Sequence, residues 1–330
     1  MKTLFKTIRY LISGFWRGLS VCRVIAGNLI FLALIIFLIA IFFYDAEKDF
    51  PDRAALILSL RGDIVEQKTE TVLSNQLFGE AAREEMLLKD IIDVIDFAAD
   101  DQRVQALVLD LNDLGRAGIS KVNDIGESLQ RFQAGGKKIY ATGDFYDQQR
   151  YYLAAYADQI NLHPMGDVFI TGFGLYRNYF KSALEKLLIQ FHVFRVGTYK
   201  TALEPFLRDN MSDYAKEANL AWLNVLWDAY KTNVAQLRGL APERIDDYAN
   251  NRSELLARVG GDTAQLALDF GLVDSLNTRD AFREDLIQLV GEDEEEKSFN
   301  QIQFDEYLAA IKPKRSPTRH DKPKIGVIVA

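Results

Sequence analysis

The sequence has 330 residues, with 39 Lys and Arg against 47 Asp and Glu, a formal net charge of −8, 48% hydrophobic residues and one cysteine. The acidic balance excludes the basic surface by which a nucleic-acid binder holds phosphates. The lone Cys22 excludes an internal disulfide framework and any thiolate-rich metal site, and His163, His192 and His320 form no H-E-x-x-H or His/Cys cluster, so neither a metal nor a cofactor is expected.

Residues 1–23 form a short basic N-terminus. Lys2, Lys6, Arg9, Arg17 and Arg23 are the only charges before position 45, which leaves 34 basic against 47 acidic residues, a net −13, in 45–330. Residues 24–44 are apolar except for Gly27 and Asn28. As a helix rising about 1.5 Å per residue, this stretch spans a hydrocarbon core of about 30 Å. Tyr10, Phe15 and Trp16 on one side, and Phe42, Phe43 and Tyr44 on the other, suit the two interfaces. A cleaved signal peptide fits less well, because the run is too long and no small-x-small site follows it. Cys22 precedes the run, so it is no lipobox cysteine. The positive-inside rule places the basic end in the cytoplasm and Asp45, Glu47, Asp49 and Asp52 outside, which in a bacterium is the periplasmic side of the inner membrane.

Past the anchor, apolar strands alternate with amphipathic helices. Ala55–Leu60 reads as a strand closed by Arg61-Gly62-Asp63, Met86–Ala99 has helical spacing, and Ala106–Leu111 is a second strand. Val122, Ile125, Leu129 and Phe132 share one helix face that Gly135-Gly136 ends. Strand Lys138–Thr142, a helix near Gln148–Ala157, strand Gln159–Leu162, helix Phe180–Leu188 and strand Phe191–Val196 follow. A long helix is predicted from about Ser212, its N-cap, to Leu237. This alternation predicts an α/β domain over 45–311 with largely parallel strands.

Glu292–Glu296 (EDEEE) reads as a solvated loop, and the Lys- and Pro-rich 312–324 as a stiff linker. The apolar KIGVIVA that closes the chain echoes Arg53–Leu60. Residues 325–330 are therefore expected to be the first strand of a second, similar domain. A terminal strand pairing back onto the first domain is the alternative.

No P-loop, G-x-S-x-G elbow or S-x-x-K pair occurs. Thr171-Gly172-Phe173-Gly174 lacks the third glycine of a dinucleotide fingerprint and reads as a tight turn. Composition and periodicity stop at a membrane-anchored extracytoplasmic α/β domain.

Residues 192–206 (HVFRVGTYKTALEPF) and the following Leu207–Ser212 resemble the general-base segment of the signal peptide peptidase A (protease IV) family. Ala141-Thr142-Gly143, Tyr151–Ala154, Val259–Ala264 and Gly271–Asp274 resemble it in the same order, as does a basic tail before a single anchor. The resemblance implies a crotonase-like (Clp-protease-like) repeat of the long, two-repeat form, here the N-terminal part. It implies a Ser-Lys serine endopeptidase that degrades cleaved signal peptides, needs no cofactor and assembles into a homo-oligomer.

On this resemblance Lys200 is the catalytic base. To accept a serine proton a lysine must be neutral, so its pKa must fall from about 10.4 to about 7–8, a cost of roughly 4 kcal/mol. Desolvation or a neighbouring cation achieves this. Val193, Phe194, Val196, Tyr199, Leu203 and Phe206 supply apolar sequence neighbours, and Arg195 a cationic one. The nucleophile belongs to the family's second repeat in a Ser-Gly-Gly context. Here Gln148-Gln149-Arg150 stands at the corresponding turn, and Gly115 and Gly118 lie near the oxyanion turn without its paired glycines. The chain alone is therefore expected to be inactive. His192 is expected to be a strand-end residue, with Glu204 and Asp209 capping or pairing locally. Two other readings remain open: an enzyme like the acyl-CoA hydratases and isomerases, and a non-catalytic anchored scaffold from a truncated or split gene.

Overall fold

The computed structural model describes residues 2–43, 50–69 and 84–315, in two compact units, Met1–Asp49 and Phe50–Ala330. The expected strand 325–330 and most of the expected linker 312–324 lie outside the described residues; residues 312–315 end a helix.

The first unit is one helix, α1 (Lys2–Phe43). Its Leu19–Leu38 stretch is long and apolar enough to cross a membrane, and its side chains are exposed. These 20 residues reach about 30 Å. The span begins five residues before the expected Val24 and takes in Arg23, whose long side chain can reach back from near the start of the span to the headgroup layer.

In the second unit the strands are β1 (Ala54–Ser59), β2 (Asp63–Val65), β3 (Glu85–Leu87), β4 (Val104–Asp110), β5 (Lys138–Asp147), β6 (Gln159–Phe169), β7 (Ser275–Leu276), β8 (Glu292–Asp293), β9 (Ser298–Phe299) and β10 (Gln301–Gln303). Six of them form a parallel sheet in the order β10-β1-β4-β5-β6-β7. The mixed α/β architecture with parallel strands is thus the one the sequence pattern predicts. Side chains alternate faces along each strand. Leu56, Leu58, Leu107 and Leu109 join the larger core, whereas Ala55, Ala106 and Val108 join a smaller one on the other face. Helices α2 (Leu88–Asp100), α3 (Ile119–Ala134) and α4 (Gln148–Ala154) cover the first face. The short helices α5 (Lys181–Lys186) and α6 (Glu204–Leu207) follow, then α7 (Asp213–Arg238), α8 (Pro242–Asn250), α9 (Arg252–Arg258) and α10 (Thr263–Asp269). α11 (Arg279–Val290) covers the second face through Leu286 and Val290, and α12 (Phe304–Arg315) ends the described chain.

Several tyrosines carry polar groups into the core, and most hydroxyls find an acceptor there. Tyr146 donates to the Asn161 carbonyl at 2.9 Å, Tyr151 to Leu272 at 2.7 Å and Tyr248 to Val168 at 2.7 Å. Each bond ties a helix or strand to a neighbouring element while the ring fills the core.

One predicted strand is absent. Residues 191–196 form no strand: the segment between α5 and α6 lies outside the sheet, with Phe194 99% and Val196 86% exposed. β-Branched and aromatic content favours a strand only where a ladder partner is available, and the strand that joins the β6 edge, at Asn161 and Leu162, is β7 instead. His192 is consequently an exposed loop residue and no strand end. The helix expected from Met86 begins at Leu88, because Glu85–Leu87 pair with β2. Glu292–Asp293 pair with β9 as a short hairpin rather than lying wholly in a loop.

Candidate active site

In a parallel sheet the loops beyond the carboxyl ends of the strands gather on one edge of the domain, where such folds place their chemistry. Three of these loops meet here. The turn after β4 runs through residues 111–118, α4 starts directly after β5, and an arm of about forty residues leaves β6 and returns as α7.

The start of α4 is closed by its own side chains. Asp147 is the N-cap, accepting from the backbone N–H groups of Gln149 at 3.0 Å and Arg150 at 2.8 Å. Gln149 donates to the Gly115 carbonyl at 2.7 Å and accepts from the Gly118 N–H at 3.4 Å, while Arg150 donates twice to the Leu114 carbonyl. Gln148 turns the other way, its amide oxygen accepting from the N–H groups of Thr171 and Gly172 at 3.2 and 2.7 Å. Three consecutive side chains therefore occupy the turn at which the sequence resemblance would place a nucleophile. They carry no nucleophilic hydroxyl or thiol. Gly115 is required at its position, since a Cβ there would sit 2.7 Å from the Gly62 carbonyl oxygen.

Lys200 lies in the arm, in a loop with an exposed side chain. Gly197, at φ +113°, turns the chain before it. Arg195 closes that turn by donating to the Lys200 carbonyl at 2.8 Å. Tyr199 docks the loop on the first turns of α7: its hydroxyl donates to Glu217 at 3.2 Å and its ring meets Tyr214 edge-on at 5.8 Å. Beyond Lys200, Glu204 is buried and accepts from the Ser212 N–H at 3.1 Å and the Ser212 hydroxyl at 2.5 Å. Ser212 is the N-cap of α7, as its sequence position predicts, accepting from Ala215 N–H at 3.1 Å. Phe206 stacks on Phe180 and Phe191, and Asp209 accepts from the Ser182 N–H at 2.9 Å. The Ser182 backbone and hydroxyl hydrogen bonds hold the Asp209 carboxyl below its ordinary pKa. Glu204 and Asp209 thus pair locally, as expected.

The Gln148 turn of α4 therefore meets the root of the arm at Thr171 and Gly172, and Lys200 lies further along that arm. Among the described residues no hydrogen bond links the Lys200 ammonium to a serine hydroxyl, and no group of three or more His, Cys, Asp and Glu could hold a metal ion. A shallow cavity of about 380 Å³ between Tyr140 and the α11 residues Phe282, Leu286 and Leu289 contains no residue of this arm or of the α4 turn. The bridging role of Gln148 has no sequence signal, because it depends on where β6 ends.

A parallel α/β domain with a lysine-bearing arm at its strand ends is the class that this geometry defines. Residues 131–292, which include the arm, match the model of Peptidase family S49. It is 35% identical over 316 residues to Protease 4 of Salmonella typhi, covering 93% of this chain and 51% of that protein. Against Protease 4 of Haemophilus influenzae it is 34% identical over 321 residues, covering 95% and 52%. The chain thus spans about half the length of these curated relatives. A solved membrane-bound stomatin-specific protease in complex with a substrate peptide is 11% identical, with a TM-score of 0.36 over 76% of this chain and 91% of that one.

Proposed function

We propose that this chain is part of a membrane-anchored serine endopeptidase in which Lys200 is the general base. The observation that carries the reading is the placement of Lys200 on a loop held on both sides, by Arg195 and Tyr199 before it and Glu204 after it, inside the segment that matches the peptidase family. A neutral Lys200 amine takes the proton of a serine hydroxyl as the oxygen attacks the peptide carbonyl. The resulting ammonium returns the proton to the departing amine, leaving an acyl-enzyme that water hydrolyses. The serine comes from outside the described residues, because the turn at the start of α4 is filled by Gln148, Gln149 and Arg150.

Lys200 must also be desolvated to work near neutral pH. The exposed Phe194, Val196, Tyr199 and Leu203 around it in sequence form the apolar rim through which a further domain or a second subunit would exclude water. Assembly into an oligomer is accordingly part of the proposal. α1 anchors the domain in the bacterial inner membrane, N-terminus inside and domain in the periplasm, where cleaved signal peptides are the substrates at hand.

The test is peptide hydrolysis and fluorophosphonate labelling of the full-length protein and of residues 1–330 alone. Turnover by the full-length protein that is lost in Lys200→Ala supports the reading. Turnover surviving Lys200→Ala overturns the base assignment, and labelling of 1–330 alone overturns the claim that its serines are not nucleophiles. A full-length protein with neither activity nor labelling is instead a scaffold, the role that the filled α4 turn favours.

A further inference from the structure

Glu204 is a carboxylate only 4% exposed, with no cation beside it among the described residues. Burying a charge without a counter-ion is costly unless hydrogen bonds replace the lost water. Ser212 supplies them. Its N–H donates to one carboxylate oxygen and its hydroxyl to the other, the second bond at 2.5 Å being short, as charge-assisted bonds are. The Ser212 hydroxyl has one proton, which goes to Glu204, and a lone pair that accepts from Ala215.

Capping alone does not explain this arrangement. Ser212 caps α7 through its own oxygen, and a serine needs no carboxylate behind it to do so. What the carboxylate adds is a tie across eight residues between the turn that follows Lys200 and the start of α7. Glu204 N–H donates to the Thr201 carbonyl at 3.1 Å and the Arg208 N–H donates to the Glu204 carbonyl at 2.9 Å, so its backbone is part of that turn. On the other side of Lys200, Tyr199 is fastened to Glu217 and Tyr214 of the same helix.

We infer that Glu204 and Ser212 form a buried clamp that positions Lys200, so that Glu204 is a positioning residue for the base. This rests on the proposed role of Lys200 as that base. The clamp works by geometry: with Glu204 released, the Lys200 loop keeps its anchor at Tyr199 but loses the side-chain tie to α7 where the backbone leaves, with only the Phe180 contacts of Pro205 and Phe206 and the Phe206–Phe191 stack beyond it.

The experiment is steady-state peptide hydrolysis by the full-length protein, with Glu204→Ala, Ser212→Ala, Ser212→Thr and Lys200→Ala compared in parallel. Misplacing a catalytic group by about 1 Å costs on the order of 100-fold, so Glu204→Ala and Ser212→Ala are expected to lower kcat by about 10- to 100-fold. KM should stay within about twofold, because the clamp does not touch substrate. Ser212→Thr keeps the hydroxyl and should recover most of the lost kcat. Glu204→Ala and Ser212→Ala at parental kcat, with Lys200→Ala inactive, would overturn the clamp and leave the base intact. Turnover retained in Lys200→Ala would overturn both.

A second measurement does not depend on activity. A nitroxide attached at Lys200→Cys in a Cys22→Ser background should give a broad spectrum in the parent and a sharper, more mobile one with Ser212→Ala, reversed by Ser212→Thr. An unchanged spectrum overturns the clamp.

Discussion

The amide oxygen of Gln148 accepts from the backbone N–H of Gly172 at 2.7 Å, and from that of Thr171 at 3.2 Å. It thereby fastens the start of α4 to the root of the arm that carries Lys200. Gly172 stands at φ +76°, a conformation that favours glycine, so the arm leaves β6 through a turn that both its backbone and Gln148 determine. The turn that could have held a nucleophile is used instead as a brace.

Replacing Gln148 by Ala removes the acceptor for both N–H groups. Water can reach them, so the expected loss is only about 1 kcal/mol of stability. The clearer signature is local: hydrogen exchange at Thr171 and Gly172 should speed up while the β4 and β5 amides keep their protection. Unchanged exchange at these two positions would show that the brace is not formed in solution.

Lys200→Ala is expected to abolish peptide turnover by the full-length protein without destabilising it. The side chain is exposed and makes no ion pair among the described residues, and such surface changes usually fall within about 0.5 kcal/mol. Thermal denaturation alongside the activity assay separates a lost base from a lost fold.

Acid should weaken the domain through Asp101. Its carboxylate accepts from the Arg103 guanidinium at 2.7 and 3.0 Å, from the Arg103 N–H at 3.0 Å and from the Tyr307 hydroxyl at 3.1 Å. With the Arg103 side-chain hydrogen bonds as the largest cause, its pKa is lowered from 3.8 to about 2. A depressed carboxylate favours the folded state above its unfolded pKa and loses that contribution as pH falls through its folded one. The pair therefore contributes about 2 kcal/mol near neutral pH that disappears between roughly pH 4 and pH 2. Asp101→Asn should flatten the pH dependence of denaturant midpoints in that window; a parental slope in the variant would exclude this residue as its source.

Gly126 lies in the interior of α3, where exchanging glycine for alanine ordinarily gains up to about 1 kcal/mol of helix propensity. Here a Cβ would fall within 2.6 Å of the Tyr156 ring and hydroxyl, and that ring is buried. Overpacking of this kind costs about 1–3 kcal/mol, so the steric cost wins and Gly126→Ala is expected to destabilise. A raised denaturant midpoint in the variant would show that the ring moves aside freely.

Local rules made much of the frame legible. Ser212 before Asp213 marks an N-cap, and α7 ends at Arg238, one residue after the predicted end, closed by Gly239 at φ +64°. Val122, Ile125, Leu129 and Phe132 do share the buried face of α3, and Gly135-Gly136 do end it. The apolar runs around Leu56 and Leu107 are buried strands. These features follow from interactions within a few residues, which the order of side chains already contains.

Residues 191–196 show the limit. Their composition is that of a strand, yet the β6 edge is met at Asn161 and Leu162 by β7, formed over one hundred residues later, and the segment stays in the exposed arm. Gln148 looked only like a position without a nucleophile, and Glu204 like an ordinary local cap. By itself the sequence determined the helical span near the N-terminus, the α/β alternation and the capping of α7, whereas Lys200 as a candidate base rests on a family resemblance. Only the tertiary structure decided that Gln148 braces the arm's root and that Glu204 is buried against Ser212, because burial and hydrogen-bond partners depend on which distant backbone closes over each side chain.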